Sequence, residues 1–192
     1  TIEITASSDA PVGQTALAGL VIGTLNTDYE FVYPVPITFG LMIEDFETGN
    51  FASFDWVHSG NADWVIDSDA YSGSFSAKSG EIGHDQTSEL SIVMNILYEG
   101  DIQFWSKASS EQGESGTVYD YLDFYIDNDP QELMIGGTTD WAEYTVNLPA
   151  GEHTLRWVYE KDDAQSSGED CAWVDRIYFP PGAIPPLNID FG

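Results

Sequence analysis

The chain has 192 residues, with 33 acidic residues against 5 basic ones, a formal net charge of −28 at pH 7, 42% hydrophobic residues and 14% aromatic ones. That apolar share excludes a disordered acidic tail, and the length allows a core that needs no disulfide. The charge balance excludes nucleic acid and anionic membrane surfaces as partners, since phosphates ask for stripes of Lys and Arg; it suits calcium, cationic partners and solubility outside the cell.

Thr1 reads as a cut within a longer chain. The first 40 residues hold Ile2–Ile4, a turn at Asp9–Gly13, strands around Ala16–Ile22 and Tyr29–Tyr33, and a short strand Pro36–Phe39. They resemble the last strands of an immunoglobulin-like domain. The longest apolar run, Thr15–Leu25, carries Gly19 and Gly23 and is too short to span a bilayer.

Residues 41–180 read as one all-β unit, a two-sheet antiparallel sandwich with no long helix. Ile102, Phe104 and Ser106 alternate with Gln103, Trp105 and Lys107. Leu122, Phe124 and Ile126 alternate with Tyr121, Asp123 and Tyr125. Leu155, Trp157 and Tyr159 alternate with Thr154, Arg156 and Val158. A period of two in aromatic and β-branched residues marks half-buried strands. Clusters such as Thr48-Gly49-Asn50, Ser72-Gly73 and Glu99-Gly100-Asp101 mark the turns between them. The expected core is Phe46, Trp64, Ile66, Phe75, Ile92, Phe104, Leu122, Phe124, Ile126, Val146, Leu155, Trp157, Val174, Ile177 and Phe179. Residues 181–192, rich in proline, read as a linker.

Catalytic patterns are weak. His58 and His84 fall in polar loops, His153 follows a turn, and no serine sits in a GxSxG elbow. There is no HExxH zinc motif and no CxxC pair. Asp170 beside the lone Cys171 opposes a thiolate nucleophile. The paired carboxylates Asp120/Asp123, Asp127/Asp129 and Asp162/Asp163 read mostly as solvated turn residues, so no enzyme activity is expected.

Several stretches in order carry a resemblance: Glu44-Asp45-Phe46-Glu47-Thr48-Gly49, Asp63-Trp64-Val65-Ile66, the turn Ala70–Ala77, Phe104-Trp105-Ser106-Lys107, Tyr119–Asp127 and Gly168–Pro180. Over residues 41–180 they resemble the MAM-like, cleaved-adhesin-type jelly rolls found beside gingipain-type cysteine proteases. The resemblance implies a non-catalytic module of a secreted or cell-surface bacterial protein, with calcium as cofactor. In such jelly rolls the acids matching Glu47 and Asp175 bind calcium together, and carbonyls around Ser72 and Gly73 complete the shell; Asp45 and Asp170 are further ligand candidates. Val174 and Ile177 are three apart, and a bulge at Asp175-Arg176 restores their common face and turns Asp175 aside. Arg176 is a departure, because such modules often carry a second acid there.

Three functions from different classes follow. One is adhesion to an extracellular protein or glycan, through loops such as Ser109–Gly116 and Lys161–Gly168. Within it lies a carbohydrate-binding reading, in which Trp105, Lys107, Asp123, Tyr125 and Arg156 share one open face. The other two are a structural spacer and, least favoured, an enzyme.

Overall fold

The computed structural model describes residues 14–23, 30–39, 42–113 and 116–186. The chain divides into two compact units, Thr1–Met42 and Ile43–Gly192. In the first unit, β1 (Gln14–Gly23) and β2 (Glu30–Phe39) pair antiparallel over ten residues, from Gln14 opposite Phe39 to Gly23 opposite Glu30. Tyr29–Tyr33 and Pro36–Phe39, expected as two strands, thus run as one from Glu30. Ile2–Ile4 and the turn at 9–13 lie outside the described residues.

The second unit carries β3 (Ile43–Glu44), β4 (Val57–Gly60), β5 (Val65–Asp67), β6 (Ser76–Lys78), β7 (Thr87–Ile96), β8 (Gly100–Ser109), β9 (Tyr121–Ile126) and β10 (Asp129–Pro130). It continues with β11 (Ile135–Gly136), β12 (Ala142–Leu148), β13 (Gly151–Glu160), β14 (Cys171–Tyr178) and β15 (Ala183–Ile184). A six-stranded sheet runs β12-β8-β14-β6-β5, with β3 also on β14. A seven-stranded sheet runs β10-β9-β13-β7-β15, with β11 also on β9 and β4 also on β7. All the pairings are antiparallel. The fold is the two-sheet sandwich that the alternation predicts.

Alternation sets the two faces of each sheet. On β8, Ile102, Phe104, Ser106 and Ala108 are buried, while Gln103, Trp105 and Lys107 are only half-buried. On β13, Leu155, Trp157 and Tyr159 point to the core; on β9, Leu122 and Phe124 do. The sheets meet through aromatic rings: Phe104 lies 5.4 Å from Phe124 and 5.6 Å from Trp157, and Phe124 lies 4.9 Å from Trp157. Offset and edge-on rings at such spacings add about 0.5–1.5 kcal/mol per pair beyond their burial. Of the expected core, Ile66, Phe75 and Ile126 are half-buried and the rest are buried.

The bulge is present. The register of β14 on β8 shifts between Asp175 and Tyr178, and Arg176 takes a φ of 48°. Val174 and Ile177 are thereby both fully buried. The proline-rich tail is not wholly a linker: β15 pairs with β7 at Ile96 and Asn95, and Ala183 is buried. Residues 187–192 lie outside the described residues.

Candidate functional site

Glu47 and Asp175 reach the same loop, the one joining β5 to β6. Asp175 Oδ2 accepts the Ser72 N–H at 3.0 Å, and its Oδ1 accepts the Arg176 N–H at 2.7 Å. Glu47 Oε1 accepts the N–H groups of Ser74 and Phe75 at 2.7 and 2.9 Å. Gly73 sits between, with φ +86°, and a Cβ there would collide with the Glu47 carboxylate. Asp175 is completely buried, and burial pushes its carboxyl up to about 6, against the pull of the Ser72, Arg176 and Tyr71 amides and the Arg176 charge.

Arg176 faces this loop as well: Nη1 donates to Ser72 Oγ at 3.2 Å, and Nε donates to the Tyr178 hydroxyl at 3.1 Å. Asp45 Oδ1 accepts the Glu47 N–H at 3.2 Å. Glu44 was not among the expected site residues. It is buried, accepts the Phe46 N–H at 2.9 Å and the Trp56 Nε1–H at 3.0 Å, and has its carboxyl raised chiefly by burial.

Asp170 does not join this group. It stands just before β14, five residues ahead of Asp175. Its carboxylate instead meets Lys161 Nζ, which also donates to Asp120 Oδ2 at 3.1 Å and Ser166 Oγ at 3.0 Å. The side chains of Lys161 and Asp120 are wholly buried, which corrects the reading of Asp120 as a solvated turn residue.

The five residues expected on one open face divide between the two sheets. Trp105 and Lys107 belong to β8 and lie on the outer side of the six-stranded sheet. Tyr71 stacks on Trp105 at 4.8 Å and 14°, and Tyr178 meets it edge-on at 5.8 Å. Lys107 pairs with Asp69 and lies 4.4 Å from the Trp173 ring centre; Lys78 lies 4.8 Å from the same ring. Trp173, on the outer side of its strand, is thus buried beneath two lysine ammonium groups. Period two fixes which residues share a face of one strand, but not which sheet the strand joins.

Asp123, Tyr125 and Arg156 lie on the outer side of the seven-stranded sheet. Arg156 stands opposite Tyr125 on β9 and Ser91 on β7. Its guanidinium lies 5.1 Å from the Tyr125 ring centre, and it donates to Glu89 Oε2 at 2.5 Å and to the Asp127 carbonyl at 3.1 Å. A cavity of about 320 Å³ opens there, lined by Glu89, Asp127, Asn128, Thr154 and Arg156. Asp123 is buried and structural: its Oδ1 accepts the Phe124 and Leu133 N–H groups at 2.8 and 2.9 Å. Sequence reasoning missed Glu89, whose place beside Arg156 depends on the pairing of β7 with β13.

The titratable groups with nucleophilic or acid–base chemistry are held otherwise. Cys171 is buried, and burial pushes its thiol up to about 12 despite the nearby Lys78. His58 lies in β4 rather than a loop, with Phe51 edge-on at 4.6 Å. His153 Nδ1 sits 2.9 Å from Asp127 Oδ2, which holds the Asp127 carboxyl below its usual range together with the Thr154 amide.

No protein-family model matches the chain, and no curated protein matches it in sequence. Solved structures share its fold. The K1 cleaved adhesin domain of Lys-gingipain from Porphyromonas gingivalis superposes with a TM-score of 0.52 at 15% identity, covering 77% of this chain and 99% of that one. The carbohydrate-binding module TmCBM61, solved with beta-1,4-galactotriose, gives 0.51 at 19% identity, covering 71% and 94%. The secreted serine protease VesC from Vibrio cholerae gives 0.51 at 18% identity, covering 88% of this chain and 35% of that one.

Proposed function

We propose that residues 43–186 are a non-catalytic binding module of a larger secreted or cell-surface bacterial protein, and that a glycan binds the outer face of the seven-stranded sheet. The observation that carries this reading is Arg156, held between Glu89 and the Asp127 carbonyl and laid against the Tyr125 ring beside an open cavity. Sugars bind where an aromatic face meets fixed, planar polar groups. The likeness to TmCBM61 and to an adhesin domain supports a binding role, and the Lys-gingipain and VesC comparisons support a peptidase as the catalytic partner in the parent protein.

Calcium is the proposed structural ligand. Two carboxylates from distant segments that meet one short loop support this reading, one of them completely buried with its carboxyl raised. Glu47 and Asp175 would hold the ion with carbonyls of Ser72 and Gly73, and Asp45 stands near. Bound calcium ties the β3–β4 segment to β14 and stabilises the fold by mass action.

The functional test is a glycan array, with beta-1,4-galactotriose among its probes, run beside extracellular-matrix proteins. Wild type binds a glycan. Arg156→Ala and Tyr125→Ala weaken that binding at least tenfold with little change in melting temperature. Binding to a matrix protein alone favours protein adhesion. A folded protein silent on both is a spacer.

A further inference from the structure

A second group of carboxylates lies where β8 leaves the six-stranded sheet and where β9 begins and β13 ends in the seven-stranded one. Glu111 follows β8, Asp120 precedes β9 and Asp162 follows β13. One carboxylate oxygen from each lies within 4.8 Å of the other two. An ion bound at about 2.3–2.6 Å from each oxygen requires spacings up to about that value.

The cluster is built rather than solvated. Asp120 is fully buried; its Oδ1 accepts the Asp162 N–H at 3.0 Å and its Oδ2 accepts from Lys161. Asp162 Oδ1 is fixed by the Ala164 N–H at 2.9 Å. Glu111 is 8% exposed, and its Oε2 is buried with no hydrogen-bond partner among the described residues. An unpartnered carboxylate oxygen that is out of water costs free energy until something fills its lone pairs. The ammonium of Lys161 does not balance the cluster, because Asp170 shares it.

We propose that Glu111, Asp120 and Asp162 bind one hard divalent cation of the calcium class, at a site separate from Glu47 and Asp175. The donor set is all oxygen, which suits calcium and disfavours zinc. The burial of Glu111 and Asp120 keeps a partner's long lysine or arginine side chain from the cluster, and a small ion is the occupant that the oxygen spacing suits. The ion joins the exit of β8 to the ends of β9 and β13, and so clamps one sheet to the other at this end of the sandwich.

The test is calorimetric titration of calcium into protein stripped over a chelating resin, with folding checked by circular dichroism. Wild type takes up two equivalents. Glu111→Gln and Asp162→Asn each lose one equivalent, or weaken it at least tenfold. Glu47→Gln keeps the equivalent that Glu111→Gln removes. Where Glu111→Gln fails to fold, the half-buried Asp162 decides through Asp162→Asn. If wild type takes up one equivalent, its loss in Asp162→Asn but not in Glu47→Gln upholds this site and removes the other. Unchanged stoichiometry and affinity in the folded Glu111→Gln or Asp162→Asn protein overturns the proposal, as does a wild type that binds none.

Discussion

Asp175 and Glu47 hold one loop from opposite ends of its tip: Asp175 takes the amide of Ser72, and Glu47 takes those of Ser74 and Phe75. Only Gly73 lies between. Among the described residues neither carboxylate makes a salt bridge, so the loop responds to their protonation.

That relationship sets a pH dependence. The Asp175 carboxyl titrates near 6 in the folded chain, against an ordinary value of 3.8. Folding therefore favours its protonated form. The stabilisation is complete below about 4 and is lost as the pH rises through about 6. In metal-free protein, the melting temperature of wild type should fall between pH 4 and 7 more steeply than that of Asp175→Asn, and calcium should remove the difference. The comparison with Asp175→Asn subtracts the general self-repulsion of a chain at −28. Parallel curves for the two proteins would show that Asp175 is not the group responsible.

Gly73→Ala should destabilise the protein by about 1–3 kcal/mol, because φ +86° is strained for an L-residue and the new Cβ meets the Glu47 carboxylate. Urea denaturation in the presence and absence of calcium checks this. The loss should be larger with calcium present, since the same loop is the proposed ligand.

Trp105→Ala separates the two outer faces. Trp105 lies under Tyr71 on the six-stranded sheet, so its loss should cost about 1–2 kcal/mol in stacking and burial. Glycan binding should be unchanged, because Arg156 is on the other sheet. Loss of binding without loss of stability would return the ligand to the Trp105 face.

Trp157 is the ring that both sheets share, with Phe104, Phe124 and Trp56 at 4.9–5.7 Å. Trp157→Ala should cost about 3–5 kcal/mol. Its Nε1–H has no hydrogen-bond partner among the described residues, so Trp157→Phe should be far milder. Equilibrium denaturation of the two variants measures both.

Cys171 should be inert while the protein is folded. With the thiol pushed up to about 12, labelling by a thiol reagent at pH 8 should run at least about a hundredfold slower than in denaturant. Equal rates would mean that the start of β14 opens readily from β8.

Much of the fold was legible because burial writes itself into a strand as alternation. Ile102, Phe104 and Ser106, or Leu155, Trp157 and Tyr159, announce their faces. Even the bulge was visible, since Val174 and Ile177 cannot share a face without it. What alternation does not carry is the partner of each strand. Trp105 and Tyr125 therefore read as neighbours although they belong to opposite sheets. Buried acids were invisible for a different reason: among 33 acidic residues, nothing local marks Asp120, Glu44 or Glu111 as the ones removed from water. Asp120 and Glu44 meet their partners, Lys161 and Trp56, only through the fold, at 41 and 12 residues' separation.

The basic side chains have one more consequence. Lys78, Lys107, Arg156, Lys161 and Arg176 are all the lysines and arginines in the chain, and none is exposed. Four lie within strands, and Lys161 follows β13 directly with its amide bonded to the Gln86 carbonyl. A peptidase that cuts after lysine or arginine needs an extended, accessible segment around such a residue, and the folded chain presents it these residues only within a strand or directly beside one. A module beside a peptidase of that specificity would survive digestion as one piece, and cleavage would fall in whatever flanks it.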